Sequence, residues 1–310
     1  MMGELFIGVD IGGTRTKLVL LEHPATVRDS GEIPSRLDGG QELVNAVAEA
    51  ARGWLAQLPA PVALGVAVPG IVDRAAGRVL EAPNLDILDG LDICAALHSA
   101  TGVEVSLDND ANAAGLAEAR LGAAAGCRSA VCLTVGTGVG GAIIHEGQLW
   151  RGHSDMAGEI GHLAVGCDPT RYLEEDVGAG AVVRAYRQLS GQAAEGVDAA
   201  TVARRAEVGD DAARQALAQC GAQLGIGLAI LVDLLNPERI VVGGGVAGAG
   251  EWFLGPARSE GRRRAWPQSW SHCEVVVARL GAQAGAIGAA LLAAERGRER
   301  AASDDDVGSR

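Results

Sequence analysis

The chain has 310 residues, 48% hydrophobic and 21% charged, a globular mixture with ample material for a core and, at ~150 residues per domain, room for two domains. Such a composition excludes disorder throughout. The 26 basic residues against 39 acidic ones leave a formal net charge of −13, which argues against a broad phosphate-backbone footprint on nucleic acid.

ELFIGVD (4–10) reads as a strand that meets the turn IGGT, and TKLVLLE (16–22) returns as a second strand, so the chain opens on a hairpin. Residues 41–58 place Leu43, Val44, Val47, Ala51, Trp54, Leu55 and Leu58 at helical spacing. PVALGVAVPGIVD (61–73) reads as a buried strand stopped by Pro69-Gly70. VEVSLDND (103–110) is another strand, and ANAAGLAEARLG continues as a helix with Gly122 as its stop. AVCLTVG (130–136), the bend TGVGG and AIIHEG (142–147) then repeat the opening strand–glycine turn–strand pattern, which predicts a duplication.

A helical region at roughly 210–235 feeds the strand ERIVVGGG; EVVVARLG (274–281) is the last strand and AQAGAIGAALLAAERG a closing helix. From Arg298 onward the polar, unpatterned residues predict a disordered tail. Alternating strands and helices make this an α/β chain, and the hairpins keep its sheets from being wholly parallel. The longest apolar run, AQLGIGLAILVDLL (222–235), falls short of the ~20 residues of a bilayer span and reads as a buried helix. Without a basic–apolar leader ahead of the first strand, and with six scattered cysteines forming no CxxC pair, the chain reads as cytoplasmic with no membrane partner. The run Arg258, Arg262, Arg263 and Arg264 is the one local basic candidate, read as a solvated helix face.

DIGGTRTK (Asp10 to Lys17, the only lysine) places adjacent glycines between two strands. Backbone N–H groups there can cradle an anion, and Asp10 at the strand's end can hold magnesium or its water shell, with Thr14 and Thr16 as hydroxyl donors. A tight hairpin with glycine at positive φ is the other reading, and GTGVGG (136–141) poses the same choice. Gly136-Gly138-Gly141 and Gly243-Gly245-Gly248 both spell GxGxxG. The first leads into a strand and the second lacks the acidic residue about twenty positions on, so neither is a dinucleotide fingerprint. No GxxxxGK[ST] occurs. Two anion-friendly turns suit phosphoryl transfer from a nucleotide, which depends on positioning and charge neutralisation. LDNDAN (107–112) adds Asp108, Asn109 and Asp110 at a strand-to-helix junction, where one residue caps the helix and the surplus includes a carboxylate able to take a proton from a substrate hydroxyl.

Taken together and in order, DIGGT (10–14), VPGIVD (68–73), APNL (82–85), NDAN (109–112), GTGVGG, AGEIGH (157–162) and LNPERIVVGGGV (235–246) resemble the ROK family of sugar kinases and its bacterial glucokinases. The resemblance implies an actin-like (ribonuclease H-like) two-lobed α/β fold with duplicated mixed-sheet domains and an inter-lobe cleft. The smaller lobe would take residues 1–118 and 284–298, the larger 119–283, and the tail 299–310. It implies an ATP- and magnesium-dependent hexose kinase in which Asp110 is the base for the sugar 6-hydroxyl. Asn84, Asn109, Glu159, His162 and Glu174 would hold the other hydroxyls alongside Asp110. The phosphates would sit between Gly12-Gly13-Thr14, with Lys17 in the same hairpin, and Gly136-Thr137-Gly138; the nucleoside would lie near Gly243-Gly244-Gly245, and Asp10 would hold magnesium through water. A homodimer or homotetramer without nucleic-acid partners is the family expectation.

One segment departs from the pattern. The family follows GExGH with a zinc loop, CxCGxxGCxE, whose three cysteines bind the metal together with that histidine. Here GHLAVGCDPTRYLEED (161–176) is shorter, keeps only Cys167, and has Tyr172 where the last cysteine stands, two residues before Glu174. One thiol and one imidazole do not make a closed zinc site, so zinc is predicted absent and His162 held by a hydrogen bond or packing. Glucose is the default substrate; an amino-glucose such as kanosamine, N-acetylmannosamine or a cyclitol is the alternative, and a non-catalytic sugar-sensing regulator the second alternative. The family's regulators carry an added helix-turn-helix, for which the stretch before Asp10 leaves no room. Polyphosphate is the alternative donor, with LNPERIVVGGGV favouring a nucleotide.

Overall fold

The computed structural model describes residues 4–56, 63–83, 85–165, 170–191 and 196–308, the last eleven of these as backbone. The chain divides into two compact units, residues 1–117 with 282–310, and residues 118–281.

In the first unit, β1 (Leu5–Ile11), β2 (Arg15–Glu22) and β3 (Thr26–Pro34) form an antiparallel meander, followed by α1 (Gly40–Leu55) and β4 (Ala63–Val68). The short strands β5 (Ile71–Asp73) and β6 (Arg78–Glu81) pair only with each other. Then come α2 (Ile93–Thr101), β7 (Val105–Asn109) and α3 (Asp110–Leu121). The main sheet runs β3-β2-β1-β4-β7, parallel from β1 to β7. Leu64, Val66, Ala67 and Val68 of β4 are all fully buried, as a parallel strand covered on both faces requires.

The second unit begins with β8 (Ala130–Val135), β9 (Val139–His145) and β10 (Gln148–Trp150). The helices α4 (Leu173–Val177), α5 (Ala179–Ser190), α6 (Ala199–Glu207) and α7 (Asp211–Leu235) lead to β11 (Arg239–Gly243). The unit closes with α8 (Glu251–Arg264), α9 (Pro267–Ser271) and β12 (Glu274–Val277). Its sheet runs β10-β9-β8-β11-β12, again a three-stranded antiparallel meander joined to two parallel strands. The two sheets match strand for strand, so the duplication read from the glycine turns is present.

The chain then returns to the first unit as α10 (Ala284–Gly308). Glycine sets how closely this helix packs. Gly8 of β1 and Gly65 of β4 are partners in the parallel register, and a Cβ on either would lie 1.8 Å from a carbonyl oxygen of α10, Ala286 or Ala289 respectively. Overpacking of this kind costs ~1–3 kcal/mol or more, because backbone cannot swing aside. Gly65→Ala is therefore expected to lower unfolding stability by about 3 kcal/mol in a denaturant titration; a loss under about 0.5 kcal/mol would mean that α10 shifts freely off the sheet.

Some elements differ from their sequence reading. The apolar run at 61–73 is two strands, because Gly70 (φ 88°) turns the chain after Val68 and sends Ile71–Asp73 to pair with β6. The backbone of residues 299–308 continues α10 instead of forming a disordered tail; Glu299, Arg300, Ala301 and Ala302 are good helix formers that extend a helix without an apolar face. The helix α7 is by length and composition apolar enough to cross a membrane. In this fold Leu224, Leu228, Leu231 and Val232 lie in the core of the second unit, and Gly221 and Gly225 bring α7 against the backbone of α8 at Phe253 and Ala257. Along α8, Arg258 pairs with Glu251, and Arg263 and Arg264 with Glu260, so most of the basic run is neutralised on its own helix.

Candidate active site

In the first unit, Asp10 sits at the end of β1 opposite Lys17 of β2. Its carboxylate lies against the start of α10, where a Cβ on Gly285 would stand 2.5 Å from Asp10 Oδ2. Burial pushes the Asp10 carboxyl up to about 6, with the Lys17 charge pulling back. A desolvated carboxylate of this kind gains stability when a hard cation approaches its oxygen, so the residue suits magnesium. The adjoining turn is closed by Gly12 N–H donating to the Arg15 carbonyl at 3.1 Å. Arg36 Nε braces the Gly13 carbonyl, also at 3.1 Å. Thr16 is buried and shares a 2.8 Å hydrogen bond with Ser35, whereas Thr14 stays exposed at the turn. Neither Gly12 nor Gly13 has a positive φ, but a Cβ on Gly12 would stand 3.0 Å from the Arg15 carbonyl that closes the turn, so the close approach itself favours glycine there.

The junction of β7 and α3 assigns different work to its three polar residues. Asp108 is fully buried; Oδ1 accepts from Asn109 N–H at 2.8 Å and Asn112 Nδ2 at 3.0 Å, and Oδ2 pairs with Arg74 Nε at 3.0 Å. Asn109 is the helix cap: its Oδ1 accepts from Ala111 N–H at 2.8 Å and Asn112 N–H at 3.2 Å, while Nδ2 donates to the Gly70 carbonyl at 3.0 Å. That leaves Asn109 one amide N–H for a ligand. Asp110 remains half-buried in the first turn of α3, one oxygen touching Ala111 N–H at 2.8 Å.

In the second unit, the turn between β8 and β9 carries Gly136-Thr137-Gly138, closed by Gly136 N–H to the Gly138 carbonyl at 2.9 Å and tied to α5 by Ala179 N–H to the Gly136 carbonyl at 2.8 Å. A Cβ on Gly136 would meet nothing within 4 Å, and its φ is not positive. Among the described residues no neighbour demands glycine there. At the end of β11 the reasons separate in the same way. Gly244 (φ 87°) would strike the Val135 carbonyl at 2.4 Å, whereas Gly245 faces open space.

Glu174, on α4, is brought to this turn. Its Oε2 accepts weakly from Val139 N–H at 3.4 Å and lies 2.6 Å from where a Gly138 Cβ would be and 3.3 Å from that of Gly161. Glu159 and His162 are exposed neighbours, Oε2 to Nδ1 3.6 Å apart. The His162 ring packs on the Tyr172 ring, centroids 5.2 Å apart. Among the described residues no three His, Cys, Asp or Glu side chains group as a metal site. Asn84 and Cys167 lie outside the described residues. The sequence reading passed over Arg74 and Arg36, whose roles depend on contacts distant in sequence, and noted Tyr172 only as the replacement of a cysteine. Beside Glu174, Glu175 Oε2 accepts from Tyr172 N–H at 3.0 Å and Asp176 pairs with Arg171.

The ROK family model matches residues 6–296. A glucokinase of Halalkalibacterium halodurans is 32% identical, covering 94% of this chain and 96% of its own. The crystal structure of a ROK family glucokinase from Streptomyces griseus in complex with glucose and AMPPNP has a TM-score of 0.83 at 31% identity, covering 94% of this chain and 99% of that one. A ROK hexokinase from Thermus thermophilus gives 0.79 at 34% identity, over 95% and 99%. With the actin-like fold, the ordered motifs and a family match along nearly its whole length, this chain belongs to the ROK family.

Proposed function

We propose that the chain is an ATP-dependent sugar kinase that transfers the γ-phosphoryl group to the 6-hydroxyl of glucose. The observation that carries this reading is the division of labour at the β7–α3 junction. Asp108 and Asn109 hold the backbone at the junction, and Asp110 presents a half-buried carboxylate in the first turn of α3. Glucokinase relatives of both sequence and structure support the same substrate.

Asp110 accepts the proton of the sugar 6-hydroxyl as the new phosphorus–oxygen bond forms, which keeps the attacking oxygen from carrying a positive charge. The remaining N–H of Asn109, the carboxylates of Glu159 and Glu174, the imidazole of His162 and the side chain of Asn84 are the partners for the other hydroxyls. Donors and acceptors at fixed angles reject analogues that leave one of them unpaired. Asp10 would hold magnesium, with Gly12, Gly13, Thr14 and Lys17 beside it and Gly136, Thr137 and Gly138 receiving phosphate oxygens; Gly243, Gly244 and Gly245 would border the nucleoside. Bound Mg-ATP supplies the transferable group and neutralises its charge. The same proposal makes the enzyme a cytoplasmic homodimer or homotetramer, without nucleic-acid or membrane partners.

The test is ADP release with Mg-ATP over glucose, mannose, N-acetylmannosamine, kanosamine and a cyclitol, with the phosphorylated position read by NMR. The highest kcat/KM is expected for glucose, modified at O6. A preference for an amino sugar or cyclitol would make the altered segment at 161–176 a specificity device, and sugar binding without turnover on any of them would point to a sensor.

A further inference from the structure

Tyr172 stands where three lines of contact meet. Its ring packs at 59° on the His162 ring, with centroids 5.2 Å apart, and His162 in turn lies 3.6 Å from the Glu159 carboxylate. Its backbone opens α4: Tyr172 N–H donates to Glu175 Oε2 at 3.0 Å, and the Tyr172 carbonyl accepts from Glu175 N–H at 3.1 Å. That reciprocal cap fixes the first turn of the helix that carries Glu174, whose Oε2 reaches Val139 N–H at the glycine turn. The next residue, Leu173, donates its N–H to the Leu163 carbonyl at 2.9 Å, so the chain just after His162 is tied directly to the chain just after Tyr172.

The donor set at this place does not fit a structural metal. His162 has an aromatic ring against it and a carboxylate beside it; Tyr172 offers no thiolate, and one cysteine remains in the segment. We propose that Tyr172 is a positioning residue: its ring fixes the orientation of His162 toward Glu159, beside the backbone cap that opens the helix of Glu174, so these three sugar-binding side chains are aligned without a metal. His162 and Tyr172 are both substantially exposed. Without the ring the imidazole turns freely, and the cost of ordering it passes to sugar binding. The three sugar contacts rest on the proposed kinase function; the ring contact itself does not.

Two readouts keep those apart. The first needs no sugar: the His162 Cε1–H resonance, assigned by its loss in His162→Gln, followed in wild type, Tyr172→Phe and Tyr172→Ala. Tyr172→Ala is expected to move it by the lost ring current, with Tyr172→Phe staying near wild type, and a resonance that Tyr172→Ala leaves in place would overturn the proposal. The second is a split of kinetic constants: Tyr172→Ala is expected to raise KM for glucose about 3- to 10-fold and leave KM for ATP within about 2-fold, with Tyr172→Phe restoring the glucose value. Equal rises in both constants, with thermal melts showing a folded protein, would reduce Tyr172 to a general structural role and overturn it. If the wild-type enzyme turns over no sugar, the kinase proposal fails and the resonance alone decides whether Tyr172 holds His162. Activity of wild type after exhaustive chelation and return of magnesium is expected unchanged; a loss rescued by zinc would contradict the metal-free arrangement.

Discussion

Asp110→Asn is expected to lower kcat for glucose by roughly 10²–10⁴ while glucose affinity by calorimetry stays within a few-fold of wild type, the effect of removing a positioned general base. The substitution leaves the junction intact, because the cap belongs to Asn109 and the buried ion pair to Asp108 and Arg74. Asparagine keeps an oxygen for Ala111 N–H. A loss in kcat with glucose affinity and Tm unchanged is the signature of a missing proton acceptor. Turnover within 10-fold of wild type would remove Asp110 from that role. Asp108→Asn makes the contrast: it leaves the Arg74 charge without its buried partner and is expected to cost stability first, seen as a lower Tm.

Asp10→Asn is expected to move activity and stability in opposite directions. Folding raises the Asp10 pKa from 3.8 to about 6, so the folded state binds this proton more tightly than the unfolded chain does. The protonated form is the favoured one in the fold; stability from this site is greatest below about pH 4 and is lost as pH rises to about 6. Asparagine carries no charge to desolvate. At pH 7–8 without magnesium the variant should therefore be more stable by on the order of 2 kcal/mol, with the difference closing toward pH 4. Its kinase activity should fall at least ~100-fold, because the carboxylate that a cation would satisfy is gone. Thermal melts across pH check the first half and ADP release the second. A lower Tm for the variant at pH 8 would show that ionised Asp10 is already well solvated or paired.

Much of this was legible before any coordinates. The strands β1, β4, β8 and β11 are buried on both faces and read as apolar runs, and the two glycine turns announced the duplicated hairpin. The edge strands β3 and β10 carry no such run: TVRDSGEIP is nearly all exposed, and QLW is three residues long. At the site, spacing narrowed the junction to Asp108, Asn109 and Asp110 but not to which one caps the helix; hydrogen-bond geometry separates them. Gly136 and Gly244 look alike in sequence, yet one faces open space and the other a carbonyl at 2.4 Å from its missing Cβ. Arg74 had no local pattern, and Tyr172 showed only as a replaced cysteine, because each acts on residues that only the fold brings near.

The most direct test of the kinase assignment is the stoichiometry of product formation with Mg-ATP and glucose, following ADP and glucose 6-phosphate in the same reaction. The account predicts one ADP per glucose 6-phosphate, no ADP above background without glucose, and loss of both products in Asp110→Asn. ADP released without sugar, or glucose bound with neither product formed, would contradict it.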